Sequence, residues 1–419
     1  MKILVYPHTM EVGGSQLNAI ELAGAVSDRG HDVMVLGEEG PLVDAVRDRD
    51  LEFVLLNPEV HRRPSRHAID QLVRLVRERR LDVVHGYEWP PGVEAFVGPR
   101  LVARTAAVCT VMSMAIAPFL PRNLPLVVGT EELRAAAARS GRPSVTLLEP
   151  PVDVRANSPD ISSDGFRARY GLHPEIPLAV MVCRLVPELK LEGLLAACDA
   201  VARLHASGVA LQLAIVGDGS ARPSVAQAAA EANAVVGQRA VVLTGMLVDP
   251  RPAYAAADVI LGMGGSALRG LAFGKPLVVQ GERGYWELLT PATLPTFLRQ
   301  GWYGVGMEAD GRAAGTRRLS AILTPLLADE RRRAELGSHG RRIVLDRFSL
   351  QAAAEVQEGV YVGAQQNNAA TPRAALGADA LQATAGLTMY KIRRKWERWR
   401  HTVRSDDFNA IGPHRSVAT

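Results

Sequence analysis

Short apolar runs alternate with amphipathic stretches along most of the chain, a pattern typical of α/β proteins with parallel sheets. The first half opens on a predicted strand at 2–6, followed by a helix for which Ser15 is the expected N-cap. A second helix is predicted at 67–80, where apolar residues recur on one face. The other predicted strands of this half are 31–36, 53–56, 82–85, 106–111, 125–128 and 145–148.

The second half repeats this alternation, and a proline pair separates the two halves. Glu149-Pro150-Pro151 breaks the periodicity, so we predict two α/β domains, residues 1–150 and residues 151–348. Residues 280–307 form a long aromatic-rich connection, which is more often functional than idle. A helix at 349–363, an Ala/Gln/Asn/Thr-rich linker at 364–387 and a tail at 388–419 follow. The predicted strands of the second half are 178–182, 211–216, 240–243, 259–261 and 276–279.

Composition and charge narrow the class of protein. The 419 residues are 47% hydrophobic and 22% charged, as in ordinary soluble proteins. The net charge of +4 comes from residues 364–419, which hold nine basic and four acidic residues, so the rest of the chain is close to neutral. A neutral body argues against nucleic-acid binding. Three cysteines without disulfide or metal-ligand spacing, and an opening that resembles a strand and not a signal peptide, predict a cytoplasmic protein.

Two cations follow the apolar run at 178–182. Arg184 and Lys190 precede a predicted helix at 191–204, and open α/β sheets bind ligands at the carboxyl ends of their strands. Arg supplies a planar fork of donors and Lys a mobile point charge, a combination that suits a diphosphate. The alternative is a pair of solvated loop cations.

Three glycine turns also follow predicted strands. Gly13-Gly14, Gly217-Asp218-Gly219 and Gly264-Gly265-Ser266 allow the backbone to approach a ligand closely. The last turn precedes a predicted helix at 267–273, whose free N–H groups would form an anion site, with a close-packed turn as the alternative. Two similar halves with facing ligand loops indicate a cleft between the domains.

Over residues 1–363 the chain resembles the family-4 glycosyltransferases of the GT-B fold. The resemblance implies two Rossmann-like parallel-sheet domains that face an interdomain cleft, with the acceptor held mainly by the first domain and a nucleotide-sugar donor mainly by the second. It also implies that the helix at 349–363 crosses back to the first domain and that the anomeric configuration is retained. The motifs that carry it are Gly13-Gly14 with Glu21-Leu22-Ala23, Arg29-Gly30-His31-Asp32-Val33, Arg184 with Lys190, Gly217-Asp218-Gly219, Tyr254 with Ala257-Asp258-Val259, residues 271–279, and Phe348-Ser349 with Tyr361.

The resemblance assigns roles to individual residues. Arg184 and Lys190 are the expected catalytic cations, which neutralise the departing nucleotide diphosphate. With two cations in this role no metal or other cofactor is expected beside the nucleotide-sugar co-substrate, and the sequence has no Asp-x-Asp signature or cluster of metal-ligand spacing. The expected donor-binding residues are Gly13, Gly14, Gly217, Asp218, Gly264, Gly265, Ser266, Ala267 and Arg269.

The residue at position 269 departs from the family pattern. Family members commonly carry a Glu-x7-Glu pair whose second carboxylate holds the ribose, and Leu261 and Arg269 occupy these two positions here. Arg can donate hydrogen bonds but cannot accept them. We expect Arg269 near the ribose or phosphate end of the nucleotide, paired with Glu282 or Glu287 or in contact with phosphate. The alternative is an outward-pointing helix cation.

A second departure concerns the acceptor side. Met112 stands where many members place a His after a strand of the first domain. His8 and His85 lie at other strand ends and are the candidates for the acceptor side, the alternative being two structural histidines.

Three functional hypotheses therefore stay open. The first is a retaining, metal-independent, hexosyltransferase-like glycosyltransferase with an unassigned acceptor. The second is a catalytically decayed GT-B protein that binds the donor or a partner, and the third is another GT-B enzyme such as a sugar-nucleotide epimerase or a phosphorylase. Nucleotide binding without transfer would indicate the second, and an inverted product anomer the third.

The tail has the pattern of a basic amphipathic helix. Such a helix at 389–404 suits peripheral contact with an anionic membrane, which would bring the enzyme to a lipid-linked acceptor at the inner membrane face. A helix packed on the body or on a partner, or a disordered end, is the alternative. The apolar stripe is Met389, Ile392, Trp396, Trp399 and Val403, and the flanking cations are Lys391, Arg393, Arg394, Lys395, Arg398, Arg400 and Arg404.

Overall fold

A computed structural model describes residues 1–56, 63–309 and 311–400. The chain forms two compact units. The first contains Met1–Pro151 and the chain from Leu350 onward, and the second is Val152–Ser349. The second unit is thus one continuous stretch, whose two ends meet where the Val152 N–H donates to the carbonyl of Phe348 at 2.8 Å.

The first unit is a seven-stranded parallel sheet with helices on its faces. Its strand order is β3-β2-β1-β4-β5-β6-β7, so β1 and β4 lie at the centre, next to β5. The strands are β1 Lys2–Tyr6, β2 Asp32–Gly37, β3 Glu52–Leu55, β4 Val83–Tyr87, β5 Ala106–Val111, β6 Leu126–Val128 and β7 Val145–Leu147. The helices are α1 Gly14–Ser27, α2 Val43–Arg47, α3 Arg66–Arg79, α4 Trp89–Ala95, a π-helix at Phe96–Val102 and α5 Glu131–Arg139.

The second unit is a six-stranded sheet in the order β10-β9-β8-β11-β12-β13, parallel except for β13 at its edge. Its strands are β8 Leu178–Val182, β9 Gln212–Val216, β10 Val241–Gly245, β11 Val259–Gly262, β12 Leu277–Gln280 and β13 Trp286–Leu288. Its helices are α6 Phe166–Arg169, α7 Leu191–Ala206, α8 Arg222–Val236, α9 Arg251–Ala256, α10 Gly264–Ala272, α11 Leu294–Gln300, α12 Gly311–Ala328 and α13 Glu330–Arg347.

Both faces of each sheet are covered, which explains why the central strands are apolar throughout and do not alternate. Along β8, for example, alternate residues belong to different core clusters, Ala179 and Met181 to one and Leu178 and Val180 to the other. The connection predicted at 280–307 is wrong in part, because it contains β13 and α11. Trp286 is 1% exposed and pairs with Gln280 across the sheet edge.

Two helices, α14 (Leu350–Ala370) and α15 (Arg373–Trp399), complete the first unit. The linker predicted at 364–387 is therefore wrong: these residues are helical apart from a break near Thr371, and Leu376 is fully buried. The described part of the predicted tail continues α15, whereas residues 401–419, with Val403 and Arg404, lie outside the described residues. Within the described ranges, no helix has the length and apolar character required to cross a bilayer.

Helix α14 is fixed to the sheet by a buried polar contact. The Tyr361 hydroxyl lies 2.9 Å from Nδ1 of His85, and Nε2 of His85 lies 2.6 Å from the Thr110 hydroxyl. Burial lowers the pKa of His85 to about 3, so the ring is neutral at physiological pH. At the surface Arg29 and His31 both contact the carboxylate of Glu358. Helix α14 thus depends on residues of β4 and β5 and on the turn between α1 and β2.

We expect Tyr361→Phe to lower the free energy of unfolding by about 1–3 kcal/mol, because a ring nitrogen of His85 loses its partner in the core. Val362→Ala is the matched control, since Val362 is 43% exposed on the same helix and should change stability by less than about 0.5 kcal/mol. Urea denaturation followed by circular dichroism measures both. Equal stability of the two variants would show that the hydroxyl contributes nothing.

Candidate functional site

The loop between β8 and α7 carries the two predicted cations of the second unit. Arg184 is exposed, and Lys190 is half-buried at the N-cap of α7. Burial and the nearby Arg184 charge both lower the pKa of Lys190. The side-chain amide of Gln280, at the end of β12, donates to the Lys190 carbonyl at 3.1 Å and so ties this loop to the next strand but one. Two cations and a helix N-terminus create a positive potential at this edge of the sheet.

The Gly217 turn after β9 packs directly against the cation loop. Gly217 has φ of +145°, and a Cβ there would overlap the carbonyl oxygen of Cys183. Leu185 N–H donates to the Asp218 carbonyl at 2.9 Å, while the Asp218 carboxylate accepts from the Gly219 N–H at 2.7 Å. A residue with a Cβ would therefore clash at position 217, which explains the glycine there. The hydrogen bond between Leu185 and Asp218 holds the loop that carries Arg184 and Lys190 in place.

Helix α10 begins three residues before the predicted helix start. Gly264, Gly265 and Ser266 form its first turn, and its N-cap, Met263, supplies no side-chain hydrogen bond to the first N–H groups. The Ser266 hydroxyl donates to the Met263 carbonyl at 2.9 Å. Ala267, predicted to bind the donor, is fully buried in the core.

Arg269 lies on α10, half-buried, with its guanidinium directed toward the start of the helix. Its Nη1 is 4.0 Å from the position that a Cβ of Gly265 would take. The carboxylates expected as its partners contact other groups: Glu282 accepts from the Tyr303 hydroxyl at 2.5 Å, and Glu287 pairs with Arg318. Arg269 thus adds a third positive charge at the carboxyl edge of the sheet.

Three of the four predicted residues of the first unit, Gly13, Gly14 and His8, lie around the start of α1. Gly13 is the N-cap of α1, so Ser15 is not the cap but part of the first helical turn. A Cβ at Gly14 would contact nothing within 4 Å. His8 is half-buried, with Nε2 at 3.1 Å from the Gln16 side-chain amide. His85, on β4, is fully buried between the Tyr361 and Thr110 hydroxyls, an environment that favours the structural alternative.

The sequence reasoning missed Glu88, the residue that follows β4. Its side chain is 1% exposed, and its carboxylate accepts hydrogen bonds from Ser15, Met112 and Ser113. No motif includes it, and a single Glu after a strand is normally a surface residue.

No group of three His, Cys, Asp or Glu side chains that could hold a metal ion is found in residues 1–56, 63–309 and 311–400.

We expect Gly217→Ala to destabilise the second unit by more than about 2 kcal/mol, since Ala at this φ is strained and its methyl group would collide with the Cys183 carbonyl. Gly265→Ala is the control, because its Cβ would meet only the end of Arg269 and its backbone is helical. Thermal melting of both variants is the measurement. A Gly217→Ala variant that melts with the wild type would contradict the steric account of this turn.

Each of the two units matches a family model of glycosyltransferases. A model described as Glycosyltransferase Family 4 matches residues 12–139, and one described as Glycosyl transferases group 1 matches residues 176–293. Among curated proteins, no significant match was found.

Solved structures have the same fold at low sequence identity. A glycosyltransferase from Rickettsia africae has a TM-score of 0.67 at 15% identity, covering 87% of this chain and 98% of its own. HepE from Anabaena in complex with UDP has a TM-score of 0.66 at 15% identity, covering 87% of this chain and 100% of its own. Sucrose-phosphate synthase from Thermosynechococcus elongatus has a TM-score of 0.65 at 16% identity, covering 87% of this chain and 99% of its own. The chain is a family-4 glycosyltransferase with the GT-B fold.

Proposed function

We propose that this enzyme transfers a sugar from a nucleotide-sugar donor to its acceptor with retention of anomeric configuration, on the cytoplasmic side of the cell. The observation that carries the proposal is the pairing of Arg184 and Lys190 at the N-terminus of α7. The structures of HepE contain UDP in one case and UDP-glucose in another, which supports a donor of this class.

The chemistry follows from charge. When the bond between the anomeric carbon and the diphosphate breaks, negative charge develops on the leaving diphosphate. Arg184 and Lys190, with the N–H groups at the start of α7, would stabilise that charge, so the protein's own cations fill the role that a metal ion has in other transferases. Retention is implied by the family and not by any single contact.

The remaining predicted residues would complete the donor site. Gly217 and Asp218 line the next loop, and the first turn of α10 would present Gly264, Gly265 and Ser266 to a phosphate. Gly13-Gly14 of the first unit would complete the donor site, as the family resemblance implies. Because the Arg269 guanidinium points toward the start of α10, we propose that it binds phosphate in place of the family's ribose-binding Glu.

Helix α15 supports a second part of the proposal, peripheral contact with an anionic membrane. It packs on the first unit through Leu376, which is fully buried, and through Tyr390, whose ring centre lies 5.3 Å from that of Phe119. Its last turns expose Ile392 and Trp399 at 64% and 76%. Exposed apolar residues flanked by Lys and Arg suit an anionic lipid surface, which would supply a lipid-linked acceptor.

We expect Arg184→Ala and Lys190→Ala each to lower kcat by at least about a hundredfold, since each removes charge stabilisation from the leaving group. Release of nucleoside diphosphate from uridine, guanosine and adenosine diphosphate sugars, with mass detection of the transferred sugar, measures turnover. Arg203→Ala, an exposed cation at the other end of α7, is the control and should retain full activity.

The same assay separates the hypotheses. Unchanged turnover in both cation variants would contradict the assigned roles. Nucleotide binding without any transfer by the wild type would favour a decayed donor-binding protein, and an inverted product anomer would favour another GT-B reaction.

We expect Lys391→Glu/Lys395→Glu to reduce binding to vesicles of phosphatidylcholine and phosphatidylserine by at least about tenfold, because each cation near such a surface contributes roughly 1 kcal/mol. Trp396→Ser/Trp399→Ser should weaken binding as well. The control is Leu381→Ser, which changes a residue 76% exposed on the same helix but outside the stripe. Co-sedimentation is the measurement. Equal binding by all variants, or none by the wild type, would dispose of the membrane proposal.

A further inference from the structure

Glu88 holds a backbone conformation that is costly for any residue with a side chain. It follows β4 with φ of +66° and ψ of 172°, a region populated almost only by glycine. A non-glycine residue in this region costs about 1–3 kcal/mol. Glycine would adopt this conformation without strain.

That side chain is an acceptor for three donors. Oε1 accepts from the Ser15 hydroxyl at 3.1 Å and from the Met112 N–H at 3.0 Å, and Oε2 accepts from the Ser113 hydroxyl at 2.9 Å. Burial raises the pKa of this carboxyl group, and the hydrogen bonds from Met112, Ser113 and Ser15 act against that rise. The backbone of Glu88 adds a fourth contact, since its N–H donates to the Thr110 carbonyl at 2.7 Å.

The three donors come from the loops of neighbouring strands. Ser15 lies in the first turn of α1, directly after Gly13-Gly14, and Met112 and Ser113 follow β5. Glu88 itself follows β4, which lies between β1 and β5 in the sheet. One buried carboxylate therefore joins the carboxyl-edge loops of the three central strands, the edge at which open α/β sheets bind ligands.

We propose that Glu88 is a positioning residue for glycosyl transfer, holding the Gly13-Gly14 turn and the Met112-Ser113 loop in the arrangement that the reaction requires. The proposal rests on the proposed function of this protein as a glycosyltransferase. Glu88 does not contact substrate in this role, because its side chain is 1% exposed. Its effect should appear in kcat, since small displacements of a reacting group cost much in rate and little in ground-state binding.

Glu88→Gly and Glu88→Gln separate the side chain from the backbone. Gly keeps the turn without strain but removes the acceptor, and we expect kcat to fall by about a hundredfold with a change of less than about threefold in KM for the donor. Gln keeps an oxygen for Ser15 and Met112, and Ser113 has a second acceptor in the Ala115 carbonyl at 3.2 Å, so Glu88→Gln should remain within about tenfold of wild type. A Glu88→Gly variant with wild-type kcat would overturn the proposal.

A double-mutant cycle identifies the route of the effect. If Glu88 acts through Ser15, adding Ser15→Ala to Glu88→Gly should change kcat little further, although Ser15→Ala alone lowers it. Losses that multiply independently would contradict this coupling.

Hydrogen exchange tests the positioning role of Glu88 without a measurement of turnover. Amides of residues 13–16 and 112–115 should exchange at least about tenfold faster in Glu88→Gly than in wild type or Glu88→Gln, while amides of β4 stay protected. Unchanged exchange in these loops would overturn the proposal even if the wild type transferred no sugar, an outcome that would count separately against the proposed function.

Discussion

The parallel direction of the strands is the constraint on which both units depend. Every crossover must return the chain to the same edge of the sheet, so all loops that lead from a strand to a helix collect at the opposite, carboxyl edge. In the second unit this brings together Arg184, Gly217 and the start of α10, which lie far apart in sequence. In the first unit it brings Ser15 and Met112 within hydrogen-bond distance of Glu88. The topology of each sheet is therefore what brings the residues of the candidate site together.

Elements buried on both faces could be predicted from sequence. The run at 178–182 coincides with β8, because a strand covered on both sides must be apolar throughout. The secondary-structure predictions fail where an element is only partly buried or where its polar composition resembles that of a linker. An Ala-rich stretch after Val362 was expected to be a linker, yet Ala has the highest helix propensity and Leu376 anchors the helix in the core. β13 was missed because only Trp286 of its three residues is buried, at the edge of the sheet.

Within the site, the cations and glycine turns could be predicted because their chemistry is readable in one short stretch each. The histidine and carboxylate could not. The sequence places His85 at a strand end, whereas the structure buries it beneath Tyr361 of α14, which is 276 residues later in the chain. Glu88 reads as a surface acid until the loops of β1 and β5 are folded over it. Both cases depend on contacts across the chain, which local pattern does not contain.

The position of α14 also bears on the order in which the protein can fold during synthesis. The first unit begins with β1 but has Leu350, Ala354 and Tyr361 in its core, so the sheet face over His85 stays uncovered while the whole second unit is being made. The second unit needs no later segment, because its ends meet at Val152 and Phe348. On the ribosome, which extends the chain from the N-terminus, the unit encoded second can therefore reach its native state first. The unit encoded first keeps apolar surface exposed until α14 has been synthesised.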